Sequence, residues 1–437
     1  MKVPIVMLAV AGALLLAGVA GAVGSPEARF APAKLYETGQ APLSVTIADL
    51  NGDGKPDLAA ADSGSATISV FIATGKGAFE PNQDFETPKD PEAIAAGDLN
   101  ADGHVDLVTA NYDAGNFSVL LNRGDGTFRV RHDYTAGKGP DAVAIGDLNG
   151  DGKPDVVIGN SDANTVSVLV NHGDATFLDP KVFPTGKDPL RVAIADLNGN
   201  GKPDLVTADS DSDTVSVLFG NGDGTFAPAV PSIVGTVPGW LAVGDLNGDG
   251  APDLVSANYL VDSVSVLLNN GDGTFKPSVD YETGRLPAEV AIGDLNGDGK
   301  PDVATANSDD SGTVSVLLGL GDGSFGAERE YRSGRDTISV ALGDLNGDGK
   351  LDAAIAEGSS VGVLLNSTGM CNVPAVKGLT LAAAKRALTG GSCRLGRVTR
   401  AYSKLARGHV SSQKPAAGSV RPARAKVDLV VSLGRKR

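Results

Sequence analysis

The stretch Asp49-Leu-Asn-Gly-Asp-Gly-Lys-Pro-Asp57 decides the fold of this 437-residue chain, because near copies of it recur at a fixed spacing. Seven copies occur, and consecutive copies begin 49 residues apart, except for the last pair, which begin 50 residues apart. A period of this length predicts a repeat architecture in which each period forms one supersecondary unit. The copies begin at Asp49, Asp98, Asp147, Asp196, Asp245, Asp294 and Asp344.

The residue types in the nonapeptide are those of a calcium-binding loop. In the first copy, Asp49, Asn51, Asp53 and Asp57 offer side-chain oxygens, and the glycine at position 6 allows a sharp turn. Ca²⁺ takes about 6–8 oxygen ligands, so the backbone carbonyl at position 7 and water can complete the set. The loop is not an EF-hand, because its last acid stands at position 9 instead of 12 and no helical pattern flanks it. Asp-Gly and Asn-Gly pairs also favour plain turns, but a turn needs only one such pair.

We therefore predict up to seven Ca²⁺ sites, each built from positions 1, 3, 5, 7 and 9 of one copy, with position 7 acting through its backbone carbonyl. The fourth copy has an asparagine at position 5 and one carboxylate fewer, so we expect a weaker site there at most. The predicted ligands are Asp49, Asn51, Asp53, Lys55, Asp57, Asp98, Asn100, Asp102, His104, Asp106, Asp147, Asn149, Asp151, Lys153, Asp155, Asp196, Asn198, Asn200, Lys202, Asp204, Asp245, Asn247, Asp249, Ala251, Asp253, Asp294, Asn296, Asp298, Lys300, Asp302, Asp344, Asn346, Asp348, Lys350 and Asp352.

The residues between the loops predict four short strands per period. In the third period, apolar runs at 142–146, 155–159 and 165–170 precede a Gly-Asp-Ala-Thr-Phe turn at 173–177. Short runs rich in Val, Ile and Thr between Gly, Asn and Asp clusters are typical of antiparallel strands. Four strands per period, seven periods and no long helical pattern predict an all-β, seven-bladed β-propeller.

The ends of the repeat region predict how the propeller closes. A phenylalanine recurs once per period from Phe79 to Phe325, but the seventh period ends without one. The missing copy stands at the front, because residues 30–39 match residues 275–284 and Phe30 lies 49 residues before Phe79. We expect the N-terminal strand to complete the last blade, which removes the exposed edges of an open sheet.

Seven D-x-[ND]-x-[DN]-G-x-x-D loops in register over residues 30–365 resemble the FG-GAP and VCBS repeat family, the calcium-bearing propellers related to the integrin α-subunit head. The resemblance implies calcium in the turn between the first and second strands of each blade, in proteins that are mostly extracellular. Its motifs are specific for fold and metal and say little about the ligand. Ala101 and His104 depart from the pattern in the second copy, but neither removes an oxygen ligand.

Residues 1–24 have the short basic start, apolar core and small-residue end of a secretory signal peptide. An uncut apolar run to Gly24 could instead span a bilayer. We expect cleavage, because the run is rich in Ala and Gly and no stop-transfer cluster follows. The predicted organisation is then a signal at 1–24, the propeller at 25–365, a linker at 366–370 and a second domain at 371–437, in a secreted or cell-envelope protein without a transmembrane segment.

The formal net charge of −16 combines two opposite halves. Residues 371–437 hold fifteen Lys and Arg against one acid, Asp428, a net charge of +14 that leaves −30 for residues 1–370. The seven nonapeptides contain twenty aspartates, so seven Ca²⁺ would cancel nearly half of this negative charge. Without metal the carboxylates of a loop repel one another, and we expect calcium binding and folding to be coupled.

The C-terminal residues form a different module. A V-P-x-V-x-G-L-T-L-x-x-A string begins at Val373, a short helix with an apolar face follows Thr380, and three strands are predicted near 395–398, 409–413 and 427–432. These strings resemble one PASTA domain, a small α+β envelope module, which implies contact with muropeptides or peptidoglycan. A single copy can also act only as a spacer. Cys371 and Cys393, the two cysteines of the chain, predict a disulfide after a signal peptide.

Five basic residues recur nine residues before a nonapeptide, in the connection that leads into each first strand. We predict that they form a cationic ring at the mouth of the propeller channel and contact the ligand, although ordinary solvated loop charges would give the same pattern. They are Lys89, Lys138, Lys187, Arg285 and Arg335. The single tryptophan, Trp240, enters a first strand and is either core or an aromatic platform at the channel.

These features predict a calcium-binding propeller that acts as a binding or adhesion module. Its expected partner is a cell-wall glycan, peptidoglycan or an extracellular protein, and nucleic acid is not expected for a secreted chain. The basic C-terminal domain favours an anionic wall polymer. The alternative is an extracellular polysaccharide or phospholipid hydrolase or lyase with the propeller as substrate platform. We do not expect an enzyme, because near-identical blades do not supply different catalytic groups at unique positions.

Overall fold

The computed structural model describes residues 27–368, 371–390, 393–421 and 425–436. The predicted signal peptide at 1–24 lies outside these residues. Within them the chain forms seven four-stranded antiparallel sheets followed by a small domain of one helix and five strands. We number the sheets 1 to 7 in the order in which their first strands occur.

The strands of the seven sheets occupy equivalent positions in successive periods. The first strands are Pro42–Ala48, Pro91–Gly97, Pro140–Gly146, Pro189–Ala195, Pro238–Gly244, Pro287–Gly293 and Thr337–Gly343. The second strands are Asp57–Asp62, Asp106–Asn111, Asp155–Asn160, Asp204–Asp209, Asp253–Asn258, Asp302–Asn307 and Asp352–Glu357. The third strands are Thr67–Phe71, Asn116–Leu120, Thr165–Leu169, Thr214–Leu218, Ser263–Leu267, Thr313–Leu317 and Ser360–Leu364. The fourth strands are Gln83–Glu86, His132–Thr135, Lys181–Pro184, Val230–Ile233, Val279–Glu282, Arg329–Arg332 and, for sheet 7, Lys34–Glu37.

Burial falls from the second strand of each sheet to the fourth. All six residues of every second strand are buried, because neighbouring sheets cover both faces. Their near-continuous apolar runs fit this burial on both sides. The fourth strands are largely exposed. A short hairpin of Ala73–Gly75 and Ala78–Phe79 and two 3₁₀ turns, Ser161–Ala163 and Ser210–Ser212, complete the repeat region.

The core lies between consecutive sheets. In one cluster Val157 and Val166 of sheet 3 contact Leu205 and Leu218 of sheet 4. Each fully buried side chain of this kind contributes about 1.5–3 kcal/mol to folding. Aromatic pairs extend the contact outward: Phe183, in the fourth strand of sheet 3, meets Phe226 of sheet 4 edge to face, with ring centroids 5.5 Å apart. The recurring phenylalanine of each period therefore packs against the preceding sheet.

Sheet 7 contains both ends of the repeat region. Its fourth strand, Lys34–Glu37, pairs antiparallel with Ser360–Leu364, from Lys34 opposite Val363 to Glu37 opposite Ser360. The backbone N–H of Val45 in sheet 1 donates to Ser339 Oγ in sheet 7 at 3.1 Å. One hydrophobic cluster also joins buried residues of the first and last sheets.

The C-terminal domain has the helix and three strands expected from the sequence. The helix Leu381–Gly390 begins after Thr380, whose Oγ1 accepts the N–H of Ala383 at 3.3 Å. The strand Lys426–Ser432 lies between Arg394–Ala401, with which it is parallel, and Val410–Lys414, with which it is antiparallel. A short pair, Cys371–Asn372 with Val420–Arg421, was not predicted.

The core of this domain contains Val376, Ala384, Leu388, Val427 and Leu429. Cys393 is buried beside this core. The side chain of Cys371 lies outside the part that the structure describes, so the disulfide stays a prediction.

Candidate functional site

Each nonapeptide forms the turn between the first and second strands and folds around its first aspartate. In the first copy, Asp49 Oδ2 accepts the N–H of Gly54 at 2.8 Å and Asp49 Oδ1 accepts the N–H of Asp53 at 3.1 Å. The same two bonds occur in all seven copies. Gly54 has a φ of 78°, in the left-handed region that favours glycine. The turn therefore requires this glycine and the acceptor at position 1.

The aspartate at position 9 has a role that the sequence did not reveal. Asp155 is fully buried, and its Oδ2 accepts the N–H of Leu148 at 3.0 Å. Its Oδ1 accepts the N–H of Asn171, just after the third strand, at 2.8 Å. Equivalent bonds occur in all seven sheets. This carboxylate thus connects the loop to the end of the third strand, which makes it part of the fold as well as a candidate ligand.

The position-9 carboxyls also show electrostatic strain. Burial raises the pKa of Asp106 and of Asp302 to about 6 and that of Asp352 to about 7. Backbone N–H donors lower these pKa values, while the acids at positions 1 and 5 raise them further. The pKa of the other four position-9 aspartates is also raised by burial, and the acid at position 1 adds to this effect in each of them. A cation in the loop would relieve both the repulsion and the desolvation.

The donor set of the loops fits a hard cation. No cluster of three His, Cys, Asp or Glu side chains that could hold a metal occurs in the described ranges. Each loop carries two or three carboxylates, one or two amide oxygens and a backbone carbonyl, the donor types that suit Ca²⁺, although in the described ranges three acids of one loop do not come together as a metal-binding group. In the sixth copy, Asp298 Oδ2 is buried and has no hydrogen-bond partner in the structure, so this oxygen is available as a ligand for a cation. In the first copy, Lys55 Nζ lies 2.6 Å from Asp53 Oδ2 and partly neutralises that carboxylate.

Buried asparagines connect consecutive sheets next to these loops. Asn171 Nδ2 donates to the carbonyl of Leu99 in the preceding loop at 2.7 Å and to the carbonyl of Pro154 at 2.8 Å. Asn122, Asn269 and Asn366 make the equivalent pair of bonds. The only sequence signal is an asparagine two residues before the Gly-Asp turn in sheets 2, 3 and 5, and this signal was missed.

The five basic residues predicted to contact the ligand lie at the opposite end of the sheets. All five are exposed, in the turns that lead into the first strands. Lys138 Nζ lies 3.3 Å from Asp162 Oδ2. Lys89, Lys187 and Arg335 are each followed by an aspartate, which offsets part of their charge. Their role as ligand contacts stays a prediction.

The same turns share an unusual backbone conformation. The residue before each first strand has a positive φ, which is 55° for Val237 and 53° for Leu286. This conformation is costly for residues with a Cβ and is held here by hydrogen bonds. The N–H of Leu286 donates to Asp262 Oδ1, and its carbonyl accepts the N–H of Ser308, both at 2.9 Å. The connections between sheets are thereby fastened to the turns after the second strands.

A polar position at the end of the second strands differs in sheet 7. In sheets 1 to 6 this residue is Asp or Asn, and its side chain bonds to a serine of the third strand, as Ser69 Oγ does to Asp62 Oδ2 at 2.7 Å. Sheet 7 has Glu357 at this position and Gly362 in place of the serine. Both carboxylate oxygens of Glu357 are buried without a hydrogen-bond partner, and burial raises its pKa to about 7.

Comparisons with known proteins agree with the repeat pattern. FG-GAP-like repeats match residues 49–109, 98–158, 147–207, 196–256, 245–305 and 294–355, and a PASTA domain matches residues 372–433. None of the curated proteins compared with the chain matches it significantly. In the described part of the chain, no helix has the length and apolar character needed to cross a membrane.

Several solved structures share the fold at low sequence identity. BBS1N in complex with ARL6DN is 12% identical, and the match covers 77% of this chain and 96% of that one, with a TM-score of 0.55. A catalytically inactive virginiamycin B lyase from Staphylococcus aureus is 12% identical over 77% and 99% of the two chains, with a TM-score of 0.53. A protein from Lactobacillus plantarum is 16% identical over 70% and 89%, with a TM-score of 0.53. These likenesses show the fold alone. Since the repeat matches run from residue 49 to residue 355, the chain belongs to the FG-GAP-like repeat family and carries a PASTA domain at its C-terminus.

Proposed function

We propose that this chain is a calcium-stabilised binding protein of the cell envelope, in which the seven sheets close into one seven-bladed propeller. Closure is supported by sheet 7, which joins the strand Lys34–Glu37 to three strands from the other end of the repeat region. The hydrogen bond from Val45 in sheet 1 to Ser339 in sheet 7 supports it further. Export is supported by the signal-like residues 1–24.

The observation that carries calcium binding is the seven-fold recurrence of one loop conformation around an acidic, all-oxygen donor set. Positions 1, 3, 5 and 9, with the carbonyl of position 7, would hold each ion. The bound ion would supply positive charge where the carboxylates now repel one another. The acidic side chains themselves set the shape of the loop, because they accept hydrogen bonds from its backbone N–H groups. Calcium would therefore stabilise a turn that the backbone already forms.

Thermal melting with calcium and with a chelator tests this proposal. Calcium bound only by the folded state stabilises that state by mass action, so chelation should lower the melting temperature strongly. Magnesium at the same concentration is the control, because it accepts this flexible geometry less readily. Equal melting temperatures in calcium and in chelator would remove calcium from the proposed function.

Contact with the cell wall is assigned to the PASTA domain. Its strand Arg394–Ala401 carries three exposed arginines, Arg394, Arg397 and Arg400, within a segment of net charge +14. Clustered basic residues bind anionic polymers in a salt-dependent way. The expected ligand is peptidoglycan or an attached anionic polymer.

Sedimentation of the full chain with cell-wall sacculi tests this contact. Binding should fall as salt rises, and changing Arg394, Arg397 and Arg400 together to Gln should weaken it. The matched variant changes the five exposed basic residues of the sheet connections to Gln. A loss of binding only in the variant of the sheet connections would show that the repeat region, and not the PASTA domain, contacts the wall. If neither variant reduces sedimentation, the wall-binding proposal is wrong and a soluble partner remains.

A further inference from the structure

A cavity of about 630 Å³ opens at the end of sheets 4 to 7 opposite the nonapeptide loops. It lies where the turns before the first strands meet the turns after the second strands. Its volume is in the range of small-molecule sites, about 300–1,000 Å³. The nonapeptide loops contribute no lining residue to it, so it is separate from the proposed calcium sites.

The lining of the cavity combines an apolar floor with an acidic rim. Asp188, Asp211 and Asp336 are the charged residues that line it, and the described lining holds no basic residue. Lys187 and Arg335 precede two of these aspartates in the sequence, but both are exposed and outside the lining. The cavity is therefore negative at its rim.

The aromatic side chains of the cavity are Trp240 and Tyr259. The guanidinium of Arg191 lies 4.3 Å from the centroid of the Trp240 ring, so this ring already holds one cation. Arg191 acts electrostatically on Glu92, Asp141 and Glu289, and it lowers the pKa of each against the effect of burial. Three carboxyl groups thus lie within electrostatic reach of one guanidinium, and Arg191 itself is not part of the cavity lining.

The residues at this end differ between sheets, whereas the nonapeptide loops repeat. At the position equivalent to Trp240, the first strands of the other six sheets have Ser44, Ala93, Ala142, Arg191, Glu289 and Ser339. A scaffold needs the same residue in every sheet, but a site for one small molecule needs different residues at unique positions. This divergence favours a single ligand site over a ring of equal ones.

We propose that the cavity binds a small organic cation, a protonated or quaternary amine on an apolar stem. The ammonium group would lie against the rim carboxylates, and the stem would pack on Trp240, Tyr259 and the apolar floor. Charge complementarity and the aromatic faces both favour such a ligand. This inference does not depend on calcium binding or on wall contact.

The chain offers a direct probe of this site, because Trp240 is its only tryptophan. The full chain, at constant calcium, is titrated with benzyltrimethylammonium while tryptophan fluorescence is recorded. Benzyl alcohol, benzenesulfonate and N-acetylglucosamine are the neutral, anionic and sugar counterparts. We expect a saturable fluorescence change with benzyltrimethylammonium and with none of the three counterparts, and we expect salt to weaken this binding. Equal binding of the neutral or anionic counterpart, or no binding of the cation, would overturn the proposal.

Variants locate the binding in the acidic rim. Asp211→Asn combined with Asp336→Asn should weaken binding of benzyltrimethylammonium about tenfold or more. Asp162→Asn is the matched control, because Asp162 occupies the same place in the turn of sheet 3 and lies outside the cavity lining. Unchanged melting curves confirm that the variants fold. Equal weakening by the control, or no weakening by the double variant, would contradict the assignment.

Discussion

The unpaired carboxyl group of Glu357 gives a quantitative prediction about stability. Its side chain is 1% exposed, neither oxygen has a hydrogen-bond partner, and burial raises its pKa from 4.5 to about 7. One pKa unit corresponds to about 1.36 kcal/mol, so the shift corresponds to about 3 kcal/mol. Ionised Glu357 should therefore destabilise the folded state by about this amount.

The sign of the pH dependence follows from the raised pKa. Between the unfolded pKa, near 4.5, and the folded pKa, about 7, the folded state binds more protons, so stability falls as pH rises. The penalty is absent below this window and fully present above it. Glu357→Gln should raise the free energy of unfolding by about 3 kcal/mol at pH about 8, and by close to nothing at pH about 4.

Denaturant unfolding of the variant and the parent chain at both pH values measures this difference. Gly362→Ser provides a second route, because a Cβ at Gly362 would lie 3.1 Å from Glu357 Oε1 and the hydroxyl could donate to that carboxylate. Gly362→Ser should recover part of the same stability at high pH. Glu282→Gln, on an exposed fourth strand, is the control. A gain for Glu357→Gln that is equal at both pH values would refute the explanation by ionisation.

Three further predictions concern the repeated contacts. Asn200→Asp should restore the third carboxylate of the fourth loop and tighten calcium binding there, as measured by calorimetry. The same measurement on Asp53→Ala should show the loss of one calcium site. Leu286→Gly should raise the free energy of unfolding by about 1 kcal/mol, because it removes the Cβ from a residue in the left-handed conformation. Leu286→Ala keeps the Cβ and should give no such gain. Equal effects of the two substitutions would contradict this reasoning. Asn171→Ala should lower the free energy of unfolding by about 2 kcal/mol, since two buried carbonyls lose their hydrogen-bond donor. An unchanged free energy in denaturant unfolding would show that water replaces the amide.

The sequence predicted those features that depend on residues close together in the chain. The oxygen pattern of the nonapeptide and the alternation of short apolar runs predicted the repeated sheets, and the FG-GAP-like repeat and PASTA matches confirm the family interpretation. The start of the short helix after Thr380 was predicted for the same reason.

The sequence did not predict contacts between residues that lie far apart in the chain. Asp155 bonds to Asn171 sixteen residues later, and Asn171 bonds to Leu99 seventy-two residues earlier, so neither contact leaves a local pattern. The cavity gathers residues from Asp188 to Ile338 across four sheets. The sequence placed Trp240 in a first strand but left open whether it was core or an exposed platform. Only the packing of sheets 4 to 7 places it at the edge of a cavity.

The pairing of Lys34–Glu37 with Ser360–Leu364 also determines how the protein responds to mechanical force. The two strands are antiparallel, so the chain leaves the pair on both sides at the same end, next to Lys34 and Val363. Further bonds at this end join Phe30 with Asn366 and the N–H of Ser367 with the carbonyl of Arg29. A pull between the N-terminal segment and the C-terminal domain loads these bonds one after another, as in opening a zipper, and not all together in shear. Sheet 7 is therefore the sheet that tension along the chain would load first.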